Sequence, residues 1–428
     1  MALPTTIVLL LLLVAAPRAA WAQPPAAAAA ALNERDAAAI RDLRAGLRDL
    51  PGSRFFDSWD DARSPCAYAG VVCAADPDAG DPAAGELRVS VLTLGTGLAD
   101  SPGLAGTLPA SLASLAALTD LVLYPGRVEG AIPPDIGAGL RRLRLLSLSG
   151  NRLTGPVPDS LAGLPDLHTL DLGNNRLEGA IPAGLLLPSS PSLKVLILAN
   201  NGGLTGQLPA EFPSSQLFHV DLSRNAITGT LPPLPPTIRY FSVAANAMEG
   251  GLDGAFAGGS APADLAYLDL SLNNFSGSIP PAVFSLPSAS SLLLSRNNFT
   301  GPLAVPAPPA PTWSVVDVSH NGISGEVPEA LAAAGSLYVN NNRFSGEVPE
   351  AVARSVLAGS MATFYAQHNF LTGFPAPPQA LPDSAALCLS YNCMELPSAA
   401  AADGCPTIAG PLEARPADQC RSSGGGDG

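Results

Sequence analysis

The 428 residues predict an α/β solenoid of about twelve repeats, with a parallel sheet on its concave side and disulfide-capped ends. Three observations carry that prediction. Leucine and asparagine recur at a near-fixed spacing through the middle of the chain, glycine and proline recur in phase with them, and all six cysteines lie towards the two ends. The 42 Gly and 44 Pro make up one residue in five, so a period is what separates an ordered array from a low-complexity polymer. A hydrophobic fraction of 47% is ample for a core.

In chain order, residues 1–22 read as a signal peptide. Ile7 to Ala16 is an unbroken apolar run, shorter than the ~20 residues a membrane span needs. It is followed by the small-x-small pattern Ala20-Trp21-Ala22, which places cleavage near Gln23. No later stretch is long and apolar enough to insert, so the expected location is extracellular, in the apoplast or cell wall, without membrane insertion. Residues 23–85 form the expected N-terminal cap. They carry Ile40, Leu43 and Leu47 at helical spacing, then Phe55-Phe56-x-x-Trp59 and the pair Cys66 and Cys73.

Residues 86–375 hold the repeat. Leu143-x-x-Leu146-x-Leu148-x-x-Asn151-x-Leu153-x-Gly155-x-Val157-Pro158 returns as Leu167, Leu170, Leu172, Asn175, Leu177, Gly179, Ile181 and Pro182. The asparagines continue in phase as Asn151, Asn175, Asn201, Asn225, Asn246, Asn273, Asn297, Asn321, Asn342 and Asn369. Gly97 and Gly126 replace the asparagine in two earlier copies, which brings the count to twelve.

This is the leucine-rich repeat, expected to wind as a right-handed superhelix. Its L-x-L core is a short strand with the leucines inward and the intervening residue on the concave face. The asparagine offers amide donors and a carbonyl acceptor where the chain turns out of the strand. Residues 376–428 close the array with Cys388, Cys393, Cys405 and Cys420, for which three pairings are open. The even number of cysteines and the signal peptide point to disulfides.

Phe56-x-x-Trp59 with Pro65-Cys66-x-x-x-Gly70-Val71-x-Cys73 resembles the plant-type N-terminal cap of extracellular leucine-rich repeat proteins, and L-x-G-x-[IVL]-P resembles the plant-specific repeat. Gln367-His368-Asn369-Phe370-Leu371-Thr372-Gly373, Leu387-Cys388-Leu389-x-Tyr391-Asn392-Cys393-Met394, Cys405-Pro406, Ala409-Gly410-Pro411, Arg415-Pro416 and Gln419-Cys420 are similar to a plant family of secreted proteins built only of such repeats. Relatives of that family include receptor ectodomains, receptor-like proteins and inhibitors of polygalacturonases. The resemblance implies a recognition protein; no kinase domain follows the repeats, so it is expected to be receptor-like without a kinase and to signal through another protein, for which a membrane co-receptor is one candidate.

The chemistry of the residues agrees with binding rather than catalysis. With 22 Lys+Arg against 36 Asp+Glu and a net charge of −14, the chain would repel nucleic acid and suits a basic partner. A phosphate-binding glycine loop is ruled out because the only lysine, Lys194, lies inside the leucine pattern. Asp76-x-Asp78-x-Gly80-Asp81 begins like a calcium loop, but Leu87 stands where the bidentate glutamate belongs. His168, His219, His320 and His368 fall in separate repeats. They cannot share a zinc ion whose ligand bonds are about 2 Å long. No cofactor, metal or enzymatic activity is expected.

The concave positions supply the candidate contacts. Between the strand leucines stand Asp171, Asp221, Asp269 and Asp317 at every second repeat, then Tyr338 and Tyr365. Tyr240 and Tyr267 lie just before the leucine, with His219, while Arg224, Arg296, His320 and His368 follow the strand. The four tyrosines depart most from the repeat pattern and are read as one contact patch, of the residue type that anchors interfaces. Sequons at Asn274 and Asn298, one repeat apart, place two expected glycans on one edge. The leading expectation is a protein or peptide ligand on the concave face. The alternatives are inhibition of a secreted polygalacturonase-type hydrolase and a structural cell-wall role.

Overall fold

The computed structural model describes residues 31–60, 62–76, 86–97, 102–256, 261–306, 312–375, 381–382, 384–395, 405–407 and 412–421. The signal peptide, most of the Asp76 to Asp81 stretch and the Ala409-Gly410-Pro411 motif lie outside them. The chain winds as a stack in which each repeat contributes one strand to each of two sheets. Among the described residues the concave sheet has 14 strands in sequence order. Its first strand, Val71–Ala75, is antiparallel to Leu87–Leu94, and each later strand pairs in parallel with the one before it. Among the described residues the second sheet has 13 strands, also in sequence order: Leu47–Asp49 of the cap, antiparallel to Leu104–Thr107, and then the segments around the repeat glycine. Sequence reading placed only the first of these sheets. Among the described residues the opposite side is covered by single turns, mostly of 3-10 type, such as Ala110–Ser114 and Asp159–Gly163; the longest of these is the helix Glu350–Leu357.

Between these layers the repeat leucines form one continuous core. Leu146, Leu170, Leu196, Val220, Phe241, Leu268, Leu292, Val316, Leu337 and Phe364 succeed one another in register and are fully buried. A single repeat presents its apolar residues to both neighbours, so no repeat can bury its own share alone.

The asparagines hold the turn between the two strands of each repeat. Asn321 is representative: its Nδ2 donates to the carbonyls of Leu294, Val318 and Ser319, and its Oδ1 accepts from Phe299 N–H of the preceding repeat. The side chain thus joins two repeats and meets backbone groups that the strands leave over. The residue before this asparagine adopts a left-handed conformation in repeat after repeat, with φ of 54–58° at Asn174, Asn200, Arg224, Ala245, Leu272, Arg296, His320, Asn341 and His368. Each such non-glycine residue costs about 1–2 kcal/mol, which the asparagine hydrogen bonds offset.

The N-terminal cap packs the helix Glu34–Gly46, started by the Asn33 side chain, over the first repeat. Within it Asp36 is fully buried, bonded to Arg88 and to Val89 N–H, and this partner raises the Arg88 pKa. Phe55, Phe56, Trp59 and Tyr68 form a ring cluster beside the Cys66–Cys73 disulfide.

At the other end the array runs one turn further than the leucine spacing suggested. Strand Ala386–Cys388 pairs in parallel with Thr363–Tyr365, and Asn392 donates to Ala366 and Leu389 carbonyls in the manner of the other asparagines. The irregular stretch after Pro375 had hidden this turn, which keeps Leu387, Leu389 and Asn392 in phase. The pairings are Cys388–Cys405 and Cys393–Cys420. The second ties down the segment carrying Arg415, whose guanidinium lies over the Phe370 and Tyr391 rings and donates to Asn369 O.

Candidate recognition face

Parallel in-register pairing turns sequence positions into columns that run along the stack. The first residue of each short strand makes one column, in which Val195 pairs with His219, His219 with Tyr240, Tyr240 with Tyr267 and Tyr267 with Ser291. The rungs are close enough for side chains to stack. His219 and Tyr240 have ring centroids 4.2 Å apart and 6° from parallel, and Tyr240 and Tyr267 are 4.4 Å apart and 3° from parallel. The third residue of each strand makes the next column, where Asp171, Ile197, Asp221, Ser242, Asp269, Leu293, Asp317, Tyr338 and Tyr365 follow in order.

This order divides the four tyrosines. Strands Ser291–Leu293 and Val315–Asp317 stand between Tyr267 and Tyr338, and the second pair lies in the other column. Tyr338 and Tyr365 meet edge to face at 5.4 Å. The single tyrosine patch read from the sequence is therefore two groups. The stronger one includes His219.

The aspartates do two jobs. One oxygen of Asp171, Asp221, Asp269 and Asp317 accepts the backbone N–H two residues later, from Gly173, Ser223, Ser271 and Ser319, at 2.9–3.0 Å. That bond steadies the turn and gives a structural reason for aspartate to recur at this position. The second oxygen is free of this duty, and in Asp269 it accepts from the Tyr267 hydroxyl at 3.3 Å. Burial, set against the hydrogen bonds, raises the carboxyl pKa values of Asp171, Asp221 and Asp269. Burial also pushes His219 down to about 4, so its ring is neutral at pH 7, and pushes the Tyr240 and Tyr267 hydroxyls above their usual range. The centre of the face is a neutral aromatic stack flanked by Asp221 and Asp269. The carboxylates are two strands, or roughly 10 Å, apart.

Models of the leucine rich repeat match residues 116–177 and 264–286, and a model of the leucine rich repeat N-terminal domain matches residues 33–74. The chain is a plant-type leucine-rich repeat protein. Among solved structures this leucine-rich repeat protein is similar to a TDR receptor, at 28% identity and TM-score 0.57, with 69% of the chain and 56% of the receptor covered. The ectodomain of GASSHO1/SCHENGEN3 from Arabidopsis thaliana, in complex with CASPARIAN STRIP INTEGRITY FACTOR 2, matches at 25% identity and TM-score 0.53, covering 79% of the chain and 48% of the receptor. A plant ice-binding protein matches at 26% identity and TM-score 0.55, covering 81% of the chain and 97% of that protein. The chain spans about half the length of the receptors it matches. No curated protein matches it significantly.

The remaining sequence-predicted residues of this leucine-rich repeat protein fall on its flanks. Arg224, Arg296, His320 and His368 occupy the left-handed position after the strand, so they form a third column rather than part of the aromatic stack. Burial, followed by the nearby Arg296 charge and opposed by Asp317, lowers the His320 pKa. His368 packs on Tyr391, which belongs to the turn that sequence reading missed. Among the described residues no group of three or more His, Cys, Asp or Glu is arranged to hold a metal ion, and no helix is long and apolar enough to cross a membrane. Asn274 and Asn298 are exposed at the starts of neighbouring second-sheet strands, away from the aromatic stack.

Proposed function

We propose that this leucine-rich repeat protein is an extracellular recognition protein that binds a basic peptide or protein segment along its concave face, at the cell surface or in the cell wall. The observation that carries the reading is the His219–Tyr240–Tyr267 stack held in register between Asp221 and Asp269. Stacked rings are rigid before any ligand arrives, so little side-chain entropy is lost on binding. Because the rings cover one another's faces, they present edges and hydroxyls to the groove. The flanking carboxylates supply the charge that would select an arginine or lysine. The complex of GASSHO1/SCHENGEN3 with its factor supports a ligand-binding role for an array of this kind. In this reading the leader ending at Ala22 is removed on export, and glycans at Asn274 and Asn298 shield the second-sheet edge and leave the concave face open. A membrane co-receptor would relay the signal.

The test is capture of partners from cell-wall extracts with wild type and a Tyr240→Ala/Tyr267→Ala variant. The variant should lose at least one saturable partner that wild type retains. Equal recovery of every partner would remove the stack from the binding site.

A second reading, ice binding, is favoured by the near-complete coverage of the plant ice-binding protein. Hydroxyl side chains also recur in one row of the second sheet, at Thr154, Thr205, Thr228, Ser276, Thr300, Ser324, Ser345 and Thr372. Glu178 and Glu249 break that row, which weighs against it. An ice-recrystallisation assay of the purified protein separates the two readings.

A further inference from the structure

The strands that carry Tyr338 and Tyr365 break the repeat pattern twice. They place tyrosine in the column of Asp171, Asp221, Asp269 and Asp317, and two residues later they place Asn340 and Gln367 where the preceding repeats, from Ser149 to Ser319, have serine, glycine or alanine. The two departures coincide on neighbouring strands. Ser336–Tyr338 pairs in register with Thr363–Tyr365, so the tyrosines lie side by side and the carboxamides, two residues on in each chain, follow on the same face.

Both carboxamides are buried, with Asn340 7% and Gln367 3% exposed, yet they are not bonded as the ladder asparagines are. Asn369 uses its amide fully, donating to the Val339 and Ala366 carbonyls and accepting from Phe344 N–H. Gln367 Oε1 has no partner. Among the described residues the Asn340 carboxamide has none either. Exchange of aspartate for tyrosine also removes the acceptor that Asp317 offers to Ser319 N–H, which leaves the Asn340 and Gln367 N–H groups without one among the described residues. A buried polar group left unbonded costs stability, so the fold gains nothing from this row. Its walls are aromatic. Tyr338 and Tyr365 are half-buried and meet edge to face, so one ring keeps both faces clear of the other, unlike the covered faces of the His219 stack. His320 and His368, also half-buried, stand in the left-handed column on the other side. Residues 336–341 and 363–368 include no carboxylate, lysine or arginine; Asp317 lies one strand earlier.

We propose that Asn340 and Gln367, between these rings, form a second binding site, and that its ligand is a neutral linear glycan with equatorial hydroxyls, of the β-glucan kind. Every sugar hydroxyl both donates and accepts, which matches a site that holds unpaired N–H, NH2 and C=O groups together. The flat C–H face of a pyranose lies on the open tyrosine ring, and the buried carboxamides fix its orientation. Strands are spaced by about 4.8 Å, close to the advance of such a chain per sugar, so successive sugars meet Asn340 and Gln367 in turn. A charged ligand finds no counter-charge on these two strands. The site goes beyond the peptide reading and differs from it in chemistry, and two strands separate it from the His219 stack.

The probe is fluorescently labelled cellohexaose, titrated by polarisation against the full-length secreted protein. Wild type should bind it saturably and with the same affinity at low and high salt, and a galacturonate hexamer should not compete. Gln367→Leu fills the same space without the unbonded groups, so its melting temperature should hold or rise while binding weakens at least tenfold. Tyr338→Ala/Tyr365→Ala should weaken binding as much. Asp221→Asn/Asp269→Asn should bind the probe as wild type does, which keeps this test separate from that of the peptide site. A released high-mannose N-glycan distinguishes a wall chain from the glycan of a glycoprotein. Absence of saturable cellohexaose binding, binding of the N-glycan alone, unchanged affinity in either the leucine or the tyrosine variant, a lowered melting temperature in the leucine variant, or loss of binding in the asparagine variant would overturn the proposal.

Discussion

Single side chains in this protein act through their columns. Asn321 satisfies four backbone groups of two repeats, so Asn321→Ala leaves polar groups with no replacement partner. We expect a loss of about 2–4 kcal/mol, read from chemical denaturation. A loss below about 1 kcal/mol would mean that water replaces the side chain freely. His219 supplies a pH test. Its folded pKa, about 4, lies below its unfolded value, so the stability contributed by the neutral ring is complete above pH 6.5 and is lost as pH falls towards 4. The loss relative to His219→Phe, which keeps a ring in the stack, should approach roughly 2–3 kcal/mol at the acid end. Parallel melting curves for wild type and variant across that range would contradict the burial of His219. The ladder asparagines were legible in the sequence because they repeat. The join between His219 and the tyrosines was not, since it depends on register between strands a full repeat apart in the chain.

At the scale of elements, one repeat unit solves the same problem many times, and the ends need separate solutions. The leucines and the repeat glycine disclosed the strands of the array. The second sheet was missed because L-x-G reads equally well as a turn, and it becomes a strand only when neighbours pair with it. The thirteenth parallel strand was missed for a related reason. Ala386–Cys388 follows an irregular stretch, and its cysteine invited a reading as cap alone. The strap that carries Arg415 depends on Cys393–Cys420, which closes a loop across a sequence separation of 27. Replacing both cysteines by serine should free residues 412–421 and lower stability by about 3 kcal/mol. Hydrogen exchange would show faster exchange at Tyr391 and Arg415 N–H, which bond Glu413 O and Asn392 O. Exchange unchanged from wild type would mean that the ring contacts of Arg415 hold the strap unaided.

The whole molecule is a scaffold whose recognition chemistry lies in columns. The leucine pattern dictates a stack, the stack dictates register, and register decides which side chains meet. Of the concave residues named from sequence, Tyr240 and Tyr267 meet each other and His219, Asp221 and Asp269 flank them, and Tyr338 with Tyr365 stands apart. The most direct measurement is the affinity of a captured basic partner for wild type, for Asp221→Asn/Asp269→Asn and for Tyr338→Ala/Tyr365→Ala. Asparagine keeps the oxygen that steadies each turn and removes the charge, so the first variant should bind at least tenfold more weakly, with a flatter salt dependence, while the second stays within threefold of wild type. Retained affinity in the asparagine variant, or its loss only in the Tyr338/Tyr365 variant, would contradict the assignment of the recognition centre.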